Sequence, residues 1–161
     1  MTRTGTQRTK TDFEDRHMTH PATAEDRLAV VPTRRPTRRD ELTTVPNPAP
    51  QHDYVVTFSA HMDSIMPDRP LVVRLRYVPD RRVVDAAAFD RYLHGLGKHP
   101  WPSLEAVAAA IVDDFNNEVV ARWVSATLSD APESATHHAV LLEDRQPGWD
   151  NRALLARLEP A

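Results

Sequence analysis

Between Leu71 and Val78 apolar and basic side chains alternate, with Val73, Leu75 and Tyr77 on one side and Arg74 and Arg76 on the other. A period of two is that of a strand with one buried and one wetted face. Tyr54-Val55-Val56-Thr57-Phe58 has the β-branched and aromatic composition of a partner strand, so 54–58 and 71–78 predict an antiparallel hairpin with a long connection, turned at Pro79-Asp80. The period then lengthens. Ala86, Phe89, Tyr92, Leu93 and Leu96 predict a first helix over 85–96, ended by Gly95 and Gly97. After Pro100 and Pro102, Ser103 offers an N-cap, and Leu104, Ala108, Ile111, Phe115 and Val119 form the stripe of a second helix. Residues 121–128 and 138–142 read as two further strands around a loop from Asp130 to Ser134. The order is ββααββ. Two hairpins flanking a helix pair must cover the helices with one sheet face, which predicts an α+β fold, an antiparallel sheet with two helices on one face.

Composition divides the chain into an arm (1–50), a domain (51–145) and a tail (146–161) with room for a short helix through Leu154, Leu155 and Leu158. The arm is rich in Thr, Arg and Pro, and its apolar surface is too small to offset the entropy of ordering it, so it is expected to be mostly disordered. It holds nine basic and seven acidic residues, against eleven and sixteen in the remainder. Arg34, Arg35, Arg38 and Arg39 could dock onto something acidic, although a solvated tail is the plainer reading of such a run.

A formal charge of -3 and a pI near 6.2 give no uniform basic field, and nucleic acid is not an expected partner. There is no cysteine, which closes disulfides, thiolate metal sites and thiolate nucleophiles together. The longest apolar run, Ala106 to Val112, falls far short of the ~20 residues that span a bilayer. No membrane association and a cytoplasmic location are the expectation.

The strings themselves resemble the 7-cyano-7-deazaguanine reductases, which belong with the 6-pyruvoyl-tetrahydropterin synthases among the tunnelling-fold (T-fold) proteins. The resemblance covers about residues 53–128 and is carried by Tyr77-Val78-Pro79-Asp80, Val83-Val84-Asp85, Tyr92-Leu93, Leu104-Glu105, Ile111-Val112-Asp113-Asp114-Phe115 and Ala121-Arg122-Trp123-Val124. It implies sheets joined edge to edge into a β-barrel, hence a homo-oligomer with its small-molecule pocket between subunits. In that family a Ser-Leu-Cys-Pro turn supplies a nucleophile; the matching stretch is Ser64-Ile65-Met66-Pro67. Met66 is left as a substrate contact, since a thioether cannot form the covalent thioimide. Asp68 corresponds loosely to the family's general acid. The cofactor-contacting lysines fall at Ala87 and Asp90, so the phosphates of NADPH lose their partners and no cofactor is expected.

By the same resemblance Glu105 is the residue that grips a purine- or pterin-like ring, and Asp85 matches a second substrate-contact acid. Glu105 also has a physical reason to be anionic, since it sits at the positive end of a helix dipole. Trp101 either walls the ring or packs between helices. His61 lies next to Asp63 in the loop expected to face the pocket, where an imidazole could serve as acid or base beside Asp63 and Asp68. His52, His61, His94, His99, His137 and His138 lack metal-ligand spacing, so no metal is expected. The expected function is non-redox chemistry (cyclisation, isomerisation or elimination) on a small planar or heterocyclic metabolite anchored by Glu105. The alternative is a non-catalytic ligand-binding or assembly protein on the same scaffold.

Overall fold

Strands β2 (Val56–Met66) and β3 (Arg69–Val78) form the hairpin, paired from Val56 opposite Tyr77 to Met62 opposite Leu71, with a register shift before Met66 meets Arg69. The computed structural model describes residues 37–66, 69–130 and 136–158, with backbone only at Ser64, Met66 and Arg69. Both strands run further into the expected long connection than the pattern predicts, and His61 and Asp63 lie within β2 instead of in a loop. The physical reason is alternation: Phe58 and Ala60 pack against the core and Met62 is buried, while polar Ser59, His61 and Asp63 face outward and hide the strand's signature.

Strands β5 (Trp123–Asp130) and β6 (Ala139–Arg145) complete an antiparallel sheet of order β2-β3-β5-β6. Helices α1 (Ala86–Leu96) and α2 (Leu104–Glu118) cover one face, and the α+β fold class holds. Asp85 caps α1, its Oδ1 accepting from Ala87 N at 2.8 Å and Ala88 N at 3.2 Å. Ser103 caps α2, its hydroxyl accepting from Ala106 N at 3.3 Å. Val73, Leu75, Val124, Ala126 and Leu128 of the sheet meet Phe89, Tyr92, Val107, Ile111 and Phe115 of the helices, all buried. The Phe58 and Phe89 rings stack at 4.4 Å and Tyr77 meets Phe115 edge-on at 5.5 Å. Truncating one of these aromatic residues to Ala costs ~3–5 kcal/mol in such a core.

Composition misplaces the arm's boundary. Residues 37–50 carry a 3-10 turn, Arg38–Glu41, and strand β1 (Thr44–Pro46), which pairs antiparallel with β4 (Arg82–Val84). Leu42 is buried in the main core. Asp114, a fully buried carboxylate on α2, accepts from Arg38 Nε and Arg39 Nε, both at 2.6 Å, and from Tyr92 Oη at 2.9 Å. Two of the four arginines thus find their acidic partner within the chain. A stretch poor in apolar residues is ordered here by paired charge and β1–β4 bonding, which a hydrophobicity argument does not register. Arg34, Arg35 and the rest of 1–36 lie outside the described residues.

The tail is tied down in a similar way. Arg122 donates from Nη1 to Asp53 Oδ1 at 2.6 Å and from Nη2 to Asp80 Oδ1 at 3.0 Å and to the Pro50 carbonyl at 2.8 Å. Asn151 donates to Asp53 Oδ2 at 2.9 Å and caps α3 (Arg152–Leu155) by accepting from Leu154 N. This short helix ends before Leu158.

Candidate functional site

Glu105 is the second residue of α2, and its side chain is 58% exposed. Its own backbone N–H holds the carboxyl below its usual range, with the Ser103 hydroxyl and His138 acting in the same direction. His138, just before β6, places Nε2 3.1 Å from Glu105 Oε1. The result is an ionised acceptor, open to solvent, at the end of a helix where N–H groups and dipole both favour negative charge. Such a group can take two adjacent N–H donors of a ring.

His138 is the partner that the residue pattern did not single out. The backbone bond from Asp130 N to the His138 carbonyl carries the β5–β6 pairing to this residue, and α2 packs against both strands. A histidine entering a strand beside a helix start is the only signal for it.

His61 and Asp63 come together elsewhere. Both are exposed on β2, and with Ala60, Met62, Asp90, Leu93 and His94 they border an open groove of about 310 Å³ between the strand and α1. Strands β2 and β6 are opposite edges of the sheet, three strand spacings or roughly 14 Å apart. One protomer therefore does not bring His61 and Asp63 to Glu105 and His138.

The other expected residues fall as follows. Asp85 spends Oδ1 on the two amides at the start of α1. Trp101 donates Nε1–H to the Leu96 carbonyl at 2.9 Å, and the Arg38 guanidinium lies 5.4 Å from its ring centroid, so both the N–H and one face serve packing. Met66 ends β2. Pro67 and Asp68 lie outside the described residues.

A dinucleotide phosphate does not fit the matched positions on α1. Ala87 is exposed and neutral, Asp90 is exposed and acidic, and neighbouring Arg91 is engaged with Glu41 at 3.4 Å and the Ala87 carbonyl at 3.1 Å. Among the described residues no group of three His, Cys, Asp or Glu is placed to hold a metal ion, and no helix is long and apolar enough to cross a membrane.

The ββααββ order, with both helices on one face of an antiparallel sheet, is the T-fold arrangement. No protein-family model matches the chain. An NADPH-dependent 7-cyano-7-deazaguanine reductase of Nitrosococcus oceani is 28% identical over 116 residues, covering 68% of this chain and 88% of the relative. That similarity supports grouping the chain with the T-fold reductases.

Proposed function

We propose that this protein binds a small planar or heterocyclic metabolite through Glu105 and catalyses non-redox chemistry on it, a cyclisation, isomerisation or elimination. The observation that carries this reading is the exposed, ionised Glu105 carboxylate at the start of α2 with His138 against it. The similarity to a reductase of a deazaguanine suggests a ring with adjacent N–H donors as the ligand class. Thiolate addition to a nitrile is closed to a chain without cysteine, and the α1 positions suit no cofactor phosphate. We expect no NADPH oxidation with 7-cyano-7-deazaguanine, and no rescue by Met66→Cys alone.

Acid and base then come from His61 and Asp63, with Asp68 beside them in sequence. Because β2 and β6 are opposite edges, joining β2 of one protomer to β6 of the next would set this group near a neighbour's Glu105 and His138. Unpaired edges of this length favour such pairing. The protein is therefore expected to be a homo-oligomer with its pocket between subunits. Sedimentation at micromolar concentration tests this: an oligomer supports the composite pocket, and a monomer removes it. The separation of the two groups within one protomer also favours a second reading, a non-catalytic ligand-binding protein. His61→Ala separates the two readings, since a catalyst loses turnover at unchanged affinity.

A further inference from the structure

The chain turns from α2 into β5 through Val119, Val120 and Ala121. Val120 has φ 53°, the one left-handed backbone among the described residues other than glycine. Hydrogen bonds from two elements impose it. The Val119 and Val120 amides both donate to the Phe115 carbonyl at 3.0 Å, which closes α2, and Gln146 Nε2 donates to the Val120 carbonyl at 2.9 Å. Glycine or asparagine is the usual occupant of such a helix end. A β-branched residue there is strained.

Packing within the chain does not offset that strain. Val119 and Ala121 on either side are buried, but Val120 is 52% exposed. Three large apolar residues are exposed among the described residues, and two of them stand at β6: Leu141 within the strand, and Val120, held to its end by Gln146. Val140 and Leu142 of the same strand pack against the core yet stay only partly covered. A single exposed valine calls for no explanation, whereas a strained one beside an apolar sheet edge does.

The chain carries a matching edge. On β2, at the opposite side of the sheet, Val56, Phe58 and Ala60 are likewise packed against the core and only partly covered. Every neighbouring pair in the sheet is antiparallel, so β2 and β6 run in opposite directions and β2 of a second copy can continue the ladder at β6. Cross-strand pairs lead from Val56 through Tyr77 and Val124 to Asp144. The start of β2 and the end of β6, where Val120 stands, are therefore at one level of the sheet.

We infer that Val120 is an assembly contact, whose side chain is received by a second copy seated along β6 near the start of that copy's own β2. The contact rests on the edge-to-edge pairing proposed above and names a residue on which that pairing depends. The turn needs a left-handed residue; it is the partner that needs a valine.

Val120→Asn and Val120→Gly test this, because both suit a left-handed position and remove the apolar contact. Sedimentation across a concentration series reads assembly, and thermal melts below the dissociation concentration read folding. Both variants should need about tenfold more protein than the wild type to assemble, while melting at the same or a higher temperature when dilute. Val120→Ala keeps the strain and loses most of the side chain, so it should assemble as weakly with no gain in melting temperature. A wild type that stays monomeric would overturn this contact together with the edge pairing. An oligomeric wild type whose assembly is unchanged in Val120→Asn and Val120→Gly would overturn the contact alone, as would a lower dilute melting temperature with assembly intact.

Discussion

Helix α2 carries two carboxylates with opposite fates. Asp114 is 0% exposed and takes hydrogen bonds from Arg38, Arg39 and Tyr92. Nine residues earlier in the same helix, Glu105 is 58% exposed, with the Ser103 hydroxyl beside it and His138 Nε2 at 3.1 Å. The first has its lone pairs filled by its own chain and ties residues 37–50 to the helix layer. The second is held ionised and left reachable. Burial and partner count, rather than residue type, separate a structural acid from one available to a ligand.

Breaking the first of the pair should have the largest effect. Asp114→Ala leaves two guanidinium groups and a buried tyrosine hydroxyl without their acceptor, and removing one side of a buried ion pair costs about 3–5 kcal/mol. The lower end is expected here, because Arg38 and Arg39 side chains are 24% and 39% exposed and can recover water. Urea unfolding measures it. A shift below about 1 kcal/mol would mean that the junction is ornamental.

Truncation sharpens the same point. Deleting 1–48 removes Arg38, Arg39, Leu42 and β1 together, and should lower the melting temperature at least as far as Asp114→Ala does. Deleting 1–36 leaves all of these contacts in place and should change it little. Equal melting temperatures for the two deletions would contradict the assignment of 37–50 to the body.

Asp53 stands between the two extremes, at 25% exposure, paired to Arg122 and Asn151. The Asn151 hydrogen bond, and after it Arg122 and Trp149, hold its carboxyl below the ordinary 3.8. A depressed folded value means that the native state binds fewer protons, so this stabilisation is present above 3.8 and is lost as pH falls through the lower folded value. Denaturation midpoints followed from pH 5 to about pH 2 should show a shallower acid loss in Asp53→Asn than in the wild type. Parallel curves would mean that Asp53 contributes nothing to stability in acid.

Much of the fold was legible because strand and helix periods report burial. The alternation at 71–78 and the stripe from Leu104 to Phe115 correspond to β3 and α2, whose inward residues are buried. Where polar interactions order the chain, that signal fails. The outward run Ser59, His61, Asp63 concealed half of β2, and the Arg38-Arg39 pair concealed the ordering of 37–50. One clue was present in the pattern: Asp114 interrupts the stripe between Ile111 and Phe115, and a buried acid needs a cation. Glu105 was legible from the resemblance and from its place at a helix start. His138 was not, because its approach depends on how β6 lies against α2, a relation between elements distant in sequence.

In the proposed function Glu105 anchors a ring through its anion. Wild type and Glu105→Gln are to be titrated with planar heterocycles bearing adjacent N–H donors, among them guanine, pterin and 7-cyano-7-deazaguanine, beside a thermal melt of each. The amide exchanges one acceptor for a donor and leaves a ligand N–H unpaired, so binding should weaken from about tenfold to several hundredfold at a nearly unchanged melting temperature. Equal affinity in both proteins, or a lower melting temperature with binding intact, would contradict it.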